Sequence, residues 1–169
     1  MPSIIKDGRL VADGWRLLRR DENGELPVVV AGEDVIVPLD AWLGDAAWSG
    51  RPGRCGVWLA PDEDPARLAA SLDALSLVAV DFPAFTDGRG YSTGRLLRER
   101  YNFAGELRAI GDVGRDQLQL LWQVGFNAFV IKPGHDVAQS LVGLDGFSDH
   151  YQGNFRQPVP LFKRSRPMA

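Results

Sequence analysis

From Gly56 onward the sequence alternates short apolar runs with segments of helical spacing, and that alternation restricts the chain to few architectures. Gly56-Val57-Trp58-Leu59, Leu77-Val78-Ala79-Val80, Glu106-Leu107-Arg108-Ala109-Ile110 and Ala128-Phe129-Val130-Ile131 are compact buried-strand candidates. Between them the spacing predicts helices over 64–75, where Asp64-Pro65 is a start signal and Leu68, Leu72 and Leu75 recur, and over 92–101. Further helices are expected over 115–124, with Leu118, Leu121 and Trp122 on one face, and over 136–144. Continuous apolar strands alternating with amphipathic helices mean βα units and a mostly parallel sheet. Four such units are half of a closed eight-stranded barrel, and 169 residues cannot supply the other half. An α/β half-barrel or open, mostly parallel sheet is therefore expected. A flavodoxin-like open sheet has the same periodicity and is the rival.

The first fifty residues read differently. Val28-Val29-Val30 and Asp34-Val35-Ile36-Val37-Pro38 are short β-branched runs separated by Ala31-Gly32, which predicts a small antiparallel β element ending in a short helix over 39–43. Ser49-Gly50-Arg51-Pro52-Gly53-Arg54 is dense in turn residues and reads as a linker. The expected organisation is an N-terminal β element over 1–50, a βα-repeat domain over 51–150 and an extended tail over 151–169, where Pro158, Pro160 and Pro167 fall. A half-barrel leaves a sheet edge to protect, either by the N-terminal strands or by a second copy in a homodimer.

Composition removes several function classes. One cysteine, Cys55, excludes an internal disulfide, a four-cysteine zinc site and an iron–sulfur cluster held by this chain alone. His135 and His150 are the two histidines, and no metal site is expected from them. A net charge of -3 gives no global pull toward nucleic acid or an anionic membrane. No apolar run reaches the roughly 18 residues of a membrane helix, and Met1-Pro2-Ser3-Ile4-Ile5-Lys6-Asp7 has no basic-then-apolar leader pattern, so a cytoplasmic location is expected. No Walker loop or dinucleotide fingerprint is present, and no cofactor is predicted.

In parallel α/β architectures ligands bind beyond the carboxyl ends of the strands. That rule selects Asp62-Glu63-Asp64, Asp81 through Arg89, Asp112-Val113-Gly114-Arg115-Asp116 and Lys132-Pro133-Gly134-His135. The loop Phe82 to Gly90 is punctuated by glycine and opens a helix, where backbone amides and Arg89 favour an oxyanion. Six of the 16 arginines fall between Thr86 and Gln117. Arg98, Glu99 and Arg100 read as a solvated helix face, with Arg95 and Glu99 paired across one turn, and Ser92 reads as an N-cap. Arg108 lies inside an apolar strand and needs a partner, for which Glu106 and Asp112 stand an even number of residues away. The candidate oxyanion-site residues are Asp87, Arg89, Tyr91, Ser92, Arg108, Asp112 and Asp116, with Asp112 as the candidate base.

The phrases Phe85-Thr86-Asp87-Gly88-Arg89-Gly90-Tyr91-Ser92, Gly105-Glu106-Leu107-Arg108-Ala109-Ile110-Gly111-Asp112-Val113 and Asp116-Gln117 resemble the bacterial DUF934 family over about residues 34–147. The family carries the label of probable oxidoreductase involved in sulfite reduction, resting largely on gene neighbourhood. The resemblance implies a role in sulfur assimilation and brings no catalytic residues with it. Sulfite reduction runs through a sirohaem and an iron–sulfur cluster, which a chain with one cysteine cannot hold as the reductase does. An accessory protein docking on sulfite reductase or a neighbouring sulfur-assimilation enzyme is the expectation that both lines allow. A small oxyanion-binding protein or enzyme with its Arg/Asp pocket at the strand ends is the alternative.

Overall fold

The computed structural model describes residues 1–144, 153–160 and 163. Its centre is one eight-stranded sheet. The strands are β1 (Ser3–Lys6), β2 (Arg9–Ala12), β3 (Arg16–Leu17), β4 (Val35–Pro38), β5 (Cys55–Leu59), β6 (Leu77–Phe82), β7 (Glu106–Gly111) and β8 (Ala128–Phe129). Their order is β2-β1-β8-β7-β6-β5-β4-β3. From β3 to β8 neighbours are parallel, whereas β1 joins β8 antiparallel and β2 joins β1 antiparallel.

This order forces the sheet to curl. Seven spacings of about 4.8 Å would set the edges of a flat sheet about 34 Å apart. Yet β2 and β3 are joined by residues 13–15 alone, a link that spans at most about 14 Å. The result is a half-barrel drawn in by its own N-terminal segment. The β1–β2 hairpin covers the free side of β8, the role expected of N-terminal strands.

Alternation along the strands separates the two faces. Val35, Val37, Val57, Leu59, Val78, Val80, Phe82, Leu107, Ala109 and Phe129 point outward into the main core beneath the helices. Ile36, Leu77, Ala79 and Ile110 point inward and are covered by Trp15, Leu17, Trp58 and Val130. The helices are α1 (Leu39–Gly44), α2 (Ala47–Gly50), α3 (Arg89–Glu99), α4 (Leu118–Gln123) and α5 (Val137–Leu141). Gly90 and Gly94 bring α3 against the sheet. A Cβ at Gly94 would lie 2.3 Å from the Phe126 ring, and one at Gly90 would lie 2.6 Å from the Phe82 ring.

Several expectations are corrected. The helix expected over 64–75 is two 3-10 turns, Pro65–Leu68 and Leu72–Ala74, because its backbone N–H groups bond three residues back, as Ala69 does to Ala66, Ser71 to Leu68 and Leu75 to Leu72. The helix over 115–124 opens as a 3-10 turn, Arg115–Gln117, and α5 likewise ends in one, Val142–Leu144. Val28-Val29-Val30 forms no strand. The antiparallel strands lie earlier, at β1 and β2, while Val35–Pro38 pairs in parallel with β5 inside the main sheet. Segment 49–54 thus connects two strands of the same sheet. His150 and most of the tail lie outside the described residues.

Candidate functional site

The carboxyl ends of β6, β7 and β8 bring three loops together. Asp112, just past β7, accepts from the Phe85 backbone N–H at 3.0 Å and pairs with Lys132, from the β8 end, at 2.9 Å. Its own N–H donates to the Phe82 carbonyl, across a turn in which Gly111 takes φ +95°. A side chain there would collide with the Phe82 carbonyl oxygen, so the glycine permits this closure. The Lys132 ammonium, then the Phe85 amide and the charge of His135, hold the Asp112 carboxyl below its ordinary range. Such a carboxylate is a pinned acceptor rather than a base poised for proton transfer.

One loop away, Asp87 and Arg89 pair with each other, Nη2 to Oδ2 at 2.7 Å and Nε to Oδ1 at 3.0 Å. Hydrogen bonding from Arg89 lowers the Asp87 pKa, and Asp87 raises that of Arg89. Tyr91 turns inward, edge-on to Phe82 at 5.4 Å, and shares a hydrogen bond with Gln117; burial raises its pKa. Ser92 does not cap α3. The helix begins at Arg89 after Gly88, which leaves Ser92 on the exposed side of its first turn. Asp116 faces solvent from the 3-10 turn.

Arg108 does not join these residues. It points inward and toward the start of β7, with Nε 2.7 Å from Glu106 and Nη1 3.0 Å from both oxygens of Asp13. Glu106 also receives Lys6 at 2.7 Å. Glu106 is thus the partner expected on the same strand face, whereas Asp112, about 13 Å further along the strand, is not. Arg89, Arg108 and Asp112 are therefore spread over two ends of the sheet. The Arg108 cluster floors a 540 Å³ cavity at the amino-terminal mouth, walled by Lys6, Asp13, Trp15 and Arg54. Every buried charge in it has an opposite neighbour, as a structural network requires.

Two charged residues outside the candidate set, Asp81 near the end of β6 and Arg98 at the opposite end of the sheet, take buried positions. Asp81, in the otherwise apolar β6, binds Arg19 through both oxygens at 2.7 and 3.2 Å, and that guanidinium rests over Trp58. Asp81 was findable as the one acid among Leu77, Val78, Ala79, Val80 and Phe82. Arg98, expected on a solvated face, is buried instead. It continues the stripe of Gly90, Gly94 and Leu97, a spacing that placed it against the sheet all along.

Cys55 is half-buried, and burial pushes its thiol up to about 11, so it is a protonated packing group at neutral pH. Among the described residues no three His, Cys, Asp or Glu side chains are grouped to hold a metal, and no helix is long and apolar enough to cross a membrane.

The rim around Asp112 is thus a set of fixed, internally paired charges, and in its midst Phe85 stands 53% exposed between Pro83, Ala84 and Thr86. No curated protein matches the chain. The family model described as a bacterial protein of unknown function (DUF934) matches residues 56–162, and the chain belongs to that family.

Proposed function

We propose that this chain is a non-catalytic, cytoplasmic accessory protein of assimilatory sulfite reduction that docks on the reductase through the rim at the carboxyl ends of its parallel strands. The sulfur link comes from the family resemblance. The exposed Phe85, with its backbone pinned to Asp112, is the observation that carries the docking mode. An aromatic side chain held on an ordered loop loses little conformational freedom on burial and makes a good interface anchor. The surrounding pairs, Asp87–Arg89 and Asp112–Lys132, supply a polar border with fixed charge positions.

Support for a non-catalytic role is chemical. The rim carboxylates Asp87 and Asp112 are held in ion pairs and the Cys55 thiol is protonated, so neither acid is a base poised near neutral pH and Cys55 is no thiolate nucleophile. Growth on sulfate in a strain lacking the gene tests this. Complementation by Arg89→Ala and Asp112→Asn should restore growth, whereas Phe85→Asp should not. Loss of growth with folded Asp112→Asn, and retention with Phe85→Asp, would move the function to turnover or oxyanion chemistry at the rim.

A further inference from the structure

Two arginines on the far side of the molecule are held without a carboxylate. Arg98, 9% exposed, donates Nε to the Gly125 carbonyl at 2.9 Å, Nη1 to the carbonyls of Phe103 and Gly105, and Nη2 to the Asn127 side-chain oxygen at 3.1 Å. Arg156 donates Nε to Trp122 and Nη2 to Phe126, and lies flat on the Trp122 ring at 3.5 Å. The two guanidiniums therefore sit on consecutive carbonyls, Gly125 and Phe126. Among the described residues neither makes an ion pair. Arg108, Glu106 and Asp81, the other buried charges described above, each have an opposite charge at hydrogen-bond distance, whereas the buried Arg98 has none among the described residues.

Neutral carbonyls at the end of α4 offer partial charge only. Burying a cation with no counter-ion is unfavourable. Desolvation and the neighbouring Arg156 lower the Arg98 pKa to about 10, and desolvation lowers that of Arg156, with Asp7 opposing both. Both arginines open onto a 410 Å³ cavity with Asp7, Asn102, Asn127 and Phe155 on its walls. Their hydrogen bonds leave donors over. Arg156 Nη1 makes no bond among those described, and Arg98 Nη2 has one N–H beyond its bond to Asn127.

We propose that this cavity is an oxyanion site, taking a phosphate or sulfate group between the guanidiniums of Arg98 and Arg156. The group would supply the missing negative charge and accept the spare N–H donors in charge-assisted bonds. Asp7, which accepts from Asn127 Nδ2 at 3.0 Å, is the one carboxylate on the cavity wall among the described residues and repels the incoming anion. The site is separate from the docking rim, since it lies at the starts of β7 and β8 and the rim lies at their ends.

Calorimetric titration of the full chain with inorganic phosphate, inorganic sulfate and phenyl phosphate, with chloride holding ionic strength constant, tests the proposal. One saturable site per chain is expected. Arg156→Gln should weaken it about tenfold and Asp7→Asn should tighten it severalfold. Tighter binding of the ester than of the inorganic ions identifies a metabolite-borne group, and equal binding identifies the free ion. Arg156 lies at the surface, so its replacement leaves the fold intact, which thermal unfolding checks. No saturable binding up to about 10 mM, or binding indifferent to both variants, would overturn the proposal.

Discussion

Arg108, on β7, holds Asp13 across the inside of the curled sheet, with Nη1 3.0 Å from both carboxylate oxygens. Asp13 belongs to the link that joins the two edge strands, so the ion pair ties a central strand to the closure of the sheet. Arg19 repeats the arrangement at the other end by gripping Asp81 of β6. The curl is held by charges reaching inward from residues 13 to 19.

Arg108→Ala should lower unfolding free energy by about 3–5 kcal/mol, because the Asp13 carboxylate is left buried without its partner and Glu106 keeps only Lys6. Urea denaturation measures the loss. A double-mutant cycle with Asp13→Ala should show strong coupling, and additive effects would mean that the pair does not hold the sheet closed.

Gly94→Ala should destabilise the chain by about 1–3 kcal/mol despite the better helix propensity of alanine, since the new methyl meets the Phe126 ring. Adding Phe126→Leu should recover part of the loss in the same denaturation assay. A stabilising Gly94→Ala would show that α3 has room to move.

Much of the fold was legible in the sequence because β5 to β8 are apolar runs whose burial is set by hydropathy alone. The β1–β2 hairpin went unread, although Asp7-Gly8 between Ile4-Ile5-Lys6 and Leu10-Val11 is a two-residue turn signal; both residues take positive φ, as that turn demands. Val28-Val29-Val30 misled in the opposite direction, because β-branched residues favour strands only where a neighbour is available to pair. The site was less legible. Local spacing gave Arg95–Glu99 and Arg108–Glu106, both of which form. Spacing along one strand could not reveal Asp13, 95 residues from Arg108, nor Lys132 beside Asp112, because these contacts depend on how the sheet curls and how its loops meet.

Acid should weaken the fold partly through Asp112 and Asp87, whose folded-state pKa values lie below the ordinary 3.8. A depressed carboxylate contributes its full stabilisation above the unfolded-state value and loses it as pH falls through the folded-state value. The contribution is therefore constant at neutral pH and fades below 3.8. Asp112→Asn should flatten that acid limb in urea unfolding measured across pH, and an unchanged limb would show that the Lys132 pair is inconsequential.

Cys55 should react with a thiol reagent at neutral pH far more slowly in the native chain than in urea, since its thiol is raised to about 11 by burial. Equal labelling rates would show an exposed, ordinary thiol.

Docking through the strand-end rim is tested most directly by binding of the full chain to purified assimilatory sulfite reductase, followed by surface plasmon resonance. Saturable binding is predicted, weakened more than about tenfold by Phe85→Asp and little changed by Arg89→Ala. No binding at concentrations up to about 100 μM, or Phe85→Asp binding as tightly as the unaltered chain, would contradict it.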